Sequence, residues 1–124
     1  MNVIIADDSA VVRTLVKKII TPIGYHPIHA VHGGEVIDIL EERGADIDLI
    51  LLDWNMPTMD GFQALEKIKK NPKFASIPVI MLTSESDEKK INLAYRAGVD
   101  GYIEKPFSPK ELLECIDKVT KKSS

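Results

Sequence analysis

What this chain lacks narrows it before any motif is read. It has a single cysteine, Cys115, so no internal disulfide can staple it and a reducing compartment is expected. No apolar run approaches the ~20 residues that cross a bilayer. The opening Met1-Asn2-Val3-Ile4-Ile5-Ala6-Asp7-Asp8 has neither the basic start nor the long apolar region of a secretory signal. No charge of one sign dominates: 16 Lys and Arg stand against 19 Asp and Glu, a net charge of −3, and nothing global points to nucleic acid. There are no repeats, linkers or low-complexity segments beyond a polar tail, Lys121-Lys122-Ser123-Ser124. In 124 residues that are 44% hydrophobic and 28% charged, one cytosolic globular domain is expected, without a membrane span or an appended output module.

Five short apolar runs are present: Val3–Ala6, Ile28–Val31, Leu49–Leu52, Val79–Leu82 and a weaker Gly101-Tyr102-Ile103. The first, third and fourth are apolar on both faces, as parallel strands covered on both sides should be. The second starts with Pro27, which a sheet tolerates only at an edge. Between the runs, apolar residues recur at helical spacing. The stripes are Val11, Val12, Leu15, Val16 and Ile19; then Val36, Ile37 and Leu40; then Phe62, Leu65 and Ile68. A fourth, Ile91, Ala94 and Tyr95, is weakly apolar. The fifth, Leu112, Ile116 and Val119, opens with Ser108-Pro109-Lys110-Glu111, a serine cap with proline at the first helical position and a capping-box glutamate. Strict alternation of strand and helix predicts right-handed crossovers and an α/β fold, a doubly wound five-stranded parallel sheet with five helices.

In such sheets ligands bind beyond the carboxyl ends of the strands, where strand order reverses. The residues ending the runs are Asp7-Asp8, Asp53, Thr83-Ser84 and Lys105-Pro106. If the first and third strands are neighbours, three carboxylates converge and repel one another, and a cation must compensate. Oxygen ligands with no His or Cys nearby favour a hard ion, and so few protein ligands favour Mg²⁺. Lys105 adds a fixed positive charge and Thr83 a hydroxyl donor. A phosphoryl group attacked in line by an aspartate needs that set. An isolated Asp after a strand is a turn former or helix cap, and an isolated lysine is a solvated one. Their conjunction at three strand ends carries the inference.

These residues, with Asp53-Trp54-Asn55-Met56-Pro57, Asp60-Gly61, Ala97-Gly98-Val99-Asp100-Gly101-Tyr102 and Lys105-Pro106-Phe107, resemble the receiver domain of bacterial two-component response regulators, its single-domain chemotaxis members above all. The resemblance runs from Val3 to about Val119. It implies the flavodoxin-like strand order 2-1-3-4-5 and a domain whose phosphoacceptor is Asp53, with a histidine kinase as phosphodonor. It implies that Asp8 ligates Mg²⁺ directly, that Asp7 holds it mainly through water, that Asp53 is among the metal residues, and that the Asn55 backbone carbonyl completes the protein ligands. Lys105 would bind a phosphoryl oxygen through a chain made cis at Lys105-Pro106. Thr83 would swing toward the phosphoryl group and Tyr102 would turn inward, altering the face formed by the fourth helix, fifth strand and fifth helix. Asn55 and Glu85 would tune dephosphorylation, giving a phosphorylated state that lasts seconds to minutes.

The implied partners are a flagellar motor switch protein or a downstream phosphotransfer protein, and a phosphatase where one exists. A monomer is expected. Glu104 departs from the chemotaxis pattern, which often has an apolar residue before the lysine, and it stands on the proposed output face. Two other classes fit the fold less well. A haloacid-dehalogenase-type phosphatase carries its nucleophile after the first strand with a second aspartate two residues on, and a flavodoxin-like carrier needs a Ser/Thr/Gly-rich phosphate loop where this chain has Asp7-Asp8-Ser9.

Four further features read as structural. His26, His29 and His32 are three apart, a step that alternates faces on a strand and so does not build a metal site. Trp54 is expected as a partly exposed loop side chain. Lys67, Lys69, Lys70 and Lys73, with Lys89-Lys90, read as solvated helix faces. Cys115 is expected to be inert.

Overall fold

The computed structural model describes residues 1–122; Ser123 and Ser124 of the polar tail lie outside the described residues. Five strands alternate with five helices. They are β1 (Asn2–Ala6), α1 (Ala10–Ile20), β2 (His26–Ala30), α2 (Gly33–Arg43), β3 (Ile47–Leu52), α3 (Gly61–Lys70), β4 (Val79–Thr83), α4 (Glu88–Arg96), β5 (Gly101–Glu104) and α5 (Pro109–Lys122). All pairings are parallel and the order is β2-β1-β3-β4-β5.

Alternation along the strands explains the layering. In the three central strands, Ile4, Ile50, Leu52, Val79 and Met81 point to one face, where they meet Val36 and Leu40 of α2, Leu65 and Ile68 of α3, and Ala94 of α4. Val3, Ile5, Leu49, Leu51, Ile80 and Leu82 point to the other, against Val16 and Ile20 of α1 and Leu112, Ile116 and Val119 of α5. Every one of these side chains is buried, so the runs that read as apolar on both faces are so because both faces carry helices. β2 sits at the edge, and Pro27, paired with Val3, lacks a neighbour on its other side that would need its missing N–H.

The element ends follow local chemistry. Ser9, Asp60 and Asp87 each accept a backbone N–H at the start of α1, α3 and α4, and Asp60 with Gln63 forms a reciprocal box. Ser108 and Glu111 form the box expected for α5. After α1 the chain runs through a single 3₁₀ turn, Thr21–Ile23, and reverses at Gly24, whose φ of 92° is open to glycine at no cost. β3 starts at Ile47, earlier than its apolar run, because Ile47 points inward while Asp48 points out and accepts the Asn2 N–H at 2.8 Å. β2 stops at Ala30, one residue before its run ends. The Val31 N–H goes to the Glu35 carboxylate at 2.6 Å, and His32 caps α2 through Nδ1. His26 and His29 remain on β2, so the three histidines do not gather.

Two expectations from helical spacing are corrected. Val11 and Leu15 belong to the α1 stripe by period, yet they are 79% and 45% exposed; the helix buries only Val16 and Ile20 fully. Lys69 is not a solvated lysine. Its side chain is 12% exposed, and Nζ donates to the carbonyls of Ala75 and Ile77 at 3.0 and 2.8 Å and to Asp100 at 3.0 Å. Asp100 in turn accepts the Val79 N–H at 2.8 Å. One ammonium thereby ties the end of α3 and the loop before β4 to the loop before β5.

Removing it strands a carboxylate and two carbonyls, so Lys69→Met is expected to cost about 2–3 kcal/mol in urea unfolding, whereas Lys67→Met, on the exposed face, stays within about 0.5 kcal/mol.

Candidate functional site

The chain leaves β1 toward β2 on one side and returns to β3 on the other, so the loops after β1 and β3 diverge and leave a crevice between them. Backbone bonds fix what faces it. The Asp7 N–H donates to Ala30 at 3.0 Å, Asp53 to Ala6 at 2.9 Å and Lys105 to Thr83 at 3.0 Å. Each residue that ends a strand is thereby held by the neighbouring strand. Gly61 closes the loop from below: its N–H reaches the Trp54 carbonyl at 2.8 Å, and any side chain there would collide with the Asp53 carbonyl. Thr58, in the same loop, takes a φ of 68°, a strained conformation for a β-branched residue.

Asp7, Asp8, Asp53, Lys105 and Thr83 meet in this crevice. One oxygen from each of the three carboxylates lies within 4.8 Å of the others; Asp7 and Asp53 are buried and Asp8 is exposed. Lys105 Nζ lies 2.5 Å from Asp7 Oδ2 and 3.4 Å from Asp53 Oδ2, and the Lys105–Pro106 peptide is cis. The other Asp7 oxygen accepts the Ser9 N–H at 2.8 Å, and Arg13 donates to the Asp7 carbonyl at 2.5 Å. Burial, and then the charge of Asp7, push the pKa of Asp53 above its ordinary value, while Lys105 and the Thr83 hydroxyl pull it down. Thr83 is fully buried, and its hydroxyl accepts the Glu85 N–H at 3.2 Å.

Three carboxylates against one ammonium leave the crevice with an uncompensated negative charge. An all-oxygen donor set of that kind suits a hard divalent cation, and the exposed Asp8 leaves the cluster open to solvent.

A second layer spans the crevice mouth. Asn55 Nδ2 donates to Glu85 at 3.0 Å, and the other Glu85 oxygen is 3.1 Å from Lys90 Nζ. The Asn55 and Lys90 contacts hold the Glu85 carboxyl below its usual range. Lys90 also lies over the Trp54 ring, 5.5 Å from its centroid. Trp54 is not the partly exposed loop residue expected from sequence: it is 8% exposed and stacks on Phe62 at 5.2 Å. Nothing in the local sequence signalled Lys90 or Arg13, because each reaches a loop through the fold. Tyr102 is half-buried, and its hydroxyl donates to the Glu85 carbonyl at 2.6 Å. Burial, with Glu85, Glu104 and Asp53 nearby, pushes its pKa up to about 12, so it remains a donor. Cys115 is half-buried and burial raises its thiol pKa, which removes thiolate reactivity.

The response regulator receiver domain family matches residues 3–117. The chain is 35% identical over 120 residues to a chemotaxis protein CheY homolog of Campylobacter jejuni, covering 96% of this chain and 92% of that one. It is 36% identical to chemotaxis protein CheY1 of Helicobacter pylori, covering 96% of each. Among solved structures, a chain of the CheX-CheY-BeF₃-Mg²⁺ complex of Borrelia burgdorferi superposes with a TM-score of 0.90 at 30% identity, over 96% of this chain and 88% of that one.

Because the folded state raises the Asp53 pKa above its ordinary 3.8, the native protein binds that proton more tightly than the unfolded chain. Its stability therefore falls as pH rises through the interval between the two values, and the deficit persists at neutral pH. Without metal at pH 7, Asp53→Asn is expected to raise the thermal midpoint by roughly 3–6 °C, equivalent to about 1 kcal/mol. The gain shrinks below the ordinary carboxylate pKa and on adding Mg²⁺. An equal or lower midpoint at pH 7 contradicts this account.

Proposed function

This chain belongs to the response regulator receiver domain family, and on that premise we propose that it is a phosphorylation switch, charged at Asp53 by a histidine kinase with Mg²⁺ and read by a partner protein. The observation that carries this is one lysine shared by two buried carboxylates beside a buried threonine hydroxyl.

In this reading an Asp53 carboxylate oxygen attacks the phosphorus of a phosphohistidine in line. The P–O bond forms as the P–N bond breaks, and the bonding pair leaves with the imidazole. Lys105 meets the charge on a phosphoryl oxygen, and the Thr83 hydroxyl moves toward another. Asp7, Asp8, Asp53 and the Asn55 carbonyl would hold Mg²⁺, which supplies further neutralisation of the phosphoryl oxygens when bound. Transfer cancels the Asp53 carboxylate that Lys105 now faces, which reweights its contacts to Asp7 and the new oxygens. Thr83 then gives up the Glu85 N–H, and Tyr102 follows inward from Glu85, so the charge change reaches α4, β5 and α5. α4 buries only Ala94 fully, which suits an element that shifts. In this reading Asn55 and Glu85, joined by a hydrogen bond of 3.0 Å, tune attack of water on the acyl phosphate and set its lifetime at seconds to minutes. The chain catalyses its own phosphorylation and hydrolysis and turns over no external ester, as a monomer in the cytoplasm.

The resemblance to chemotaxis receivers makes the flagellar motor switch protein the first partner to test. The exposed Glu104 on the output face supports a second reading, onward phosphotransfer or a phosphate sink.

Intact-mass spectrometry after incubation with acetyl phosphate is expected to show one Mg²⁺-dependent phosphoryl adduct that decays within minutes. It is absent from Asp53→Asn, and adduct formation in that variant, or none in the parent, overturns the reading. Pull-down of the motor switch protein is expected to strengthen with beryllofluoride; equal capture in both states rejects the motor partner and leaves phosphotransfer.

A further inference from the structure

Apart from the acidic crevice, a groove of about 820 Å³ lies between α4, β5 and α5. The volume is that of a site for two or three side chains of a partner. Its lining is acidic. Glu104, Glu111 and Glu114 face it together with Asp100, and Lys118 is the one cation on its wall. These carboxylates are not equivalent. Asp100 is neutralised by Lys69 at 3.0 Å and by the Val79 N–H. Glu111 accepts a backbone N–H, from Ser108 at 3.2 Å, and forms no ion pair with a described residue. Glu114 lies 3.9 Å from Lys110, with side chains 67% and 85% exposed, a pairing of little strength. Glu104 forms no ion pair with a described residue, although it raises the pKa of Tyr102 from nearby. Apolar surface stands in the middle of this ring: Tyr95 is 50% exposed on α4, and Tyr102 is half-buried on β5.

We infer that the groove between α4, β5 and α5 docks a basic, amphipathic segment of a partner protein, with Lys or Arg side chains on Glu104 and Glu114 and one apolar side chain between Tyr95 and Tyr102. The inference rests on the reading of this face as the output face and adds the chemistry of what it takes. Charge complementarity selects the occupant. An acidic segment or a nucleic-acid backbone would bring like charge against Glu104, Glu111 and the weakly paired Glu114 in a contact that excludes water. A basic segment meets them and leaves Lys118 at the rim. The groove is also wired to the switch: Tyr102, on its wall, is the residue that donates to the Glu85 carbonyl, and Glu85 reaches Asn55 beside Asp53. A change at the crevice that moves Tyr102 therefore changes the groove's floor, and the segment would bind the two states differently.

The test uses the full chain and two fluorescein-labelled helical peptides of equal length. Both carry leucines on one face; the other face is lysine in the first and glutamate in the second. Fluorescence anisotropy is expected to show the lysine peptide binding at least ten-fold tighter, with the preference falling as salt rises. Glu104→Lys combined with Glu114→Lys is expected to weaken it about ten-fold, while Glu41→Lys on α2 leaves it unchanged. Amide chemical-shift changes should gather at Tyr95, Tyr102, Glu104 and Lys118. Equal binding of the two peptides, insensitivity to the paired reversal, an equal loss from Glu41→Lys, or shifts gathered at the Asp7–Asp8 crevice each overturn the proposal. The acetyl phosphate adduct is scored on the same preparations. An adduct without charge preference overturns the groove assignment and leaves the switch standing. Charge preference without an adduct supports a basic-segment groove and overturns its role as a switched output.

Discussion

Two buried carboxylates, Asp7 and Asp53, compete for the ammonium of Lys105, and much of the rest of the structure serves to keep that competition in place. Neither acid can leave, because the backbone of each is bonded to the neighbouring strand and those strands lie at the centre of the sheet. Nor can Lys105 satisfy both as well as a second cation would, since it sits closer to Asp7 than to Asp53. A site built this way is unstable toward neutralisation, and it responds to any charge that arrives or disappears at Asp53.

In the proposed switch, the response has a physical route outward. Thr83 is fully buried and engages the Glu85 N–H, Glu85 joins Asn55 to Lys90, and Tyr102 hangs on the Glu85 carbonyl. α3 and the loop before β5 are pinned by Lys69, whereas α4 buries little and exposes Leu93 and Tyr95. Rigid and loose elements therefore flank the same crevice. In the proposed switch, a local change in charge would pass through α4, which apolar packing holds least.

Much of this was legible beforehand, for reasons that differ by residue. The two-faced apolar runs could only be central parallel strands, and Pro27 marked the edge, because strand burial and a missing donor are written residue by residue. Asp7, Asp53, Thr83 and Lys105 were legible because sheet topology places strand ends at one rim. Helical period misjudged Val11 and Leu15, since period gives the angle of a side chain and says nothing of how far the neighbouring elements reach over it. Sequence marks Lys69 and Lys90 as solvated because a lysine's own neighbours in sequence carry no sign of the carbonyls, carboxylates or ring that it will meet.

The sequence by itself determined the alternation of strands and helices, their caps and the acidic and basic residues that close the strands, since all of these depend on contacts within a few residues. Tertiary structure alone decided which charges meet. Lys105 finds Asp7 across 98 positions, Lys69 finds Asp100 across 31, and Asn55 finds Glu85 across 30. Partners that far apart are chosen by the order of strands in the sheet and the burial it imposes. In the unfolded chain, water and salt screen such charges from one another.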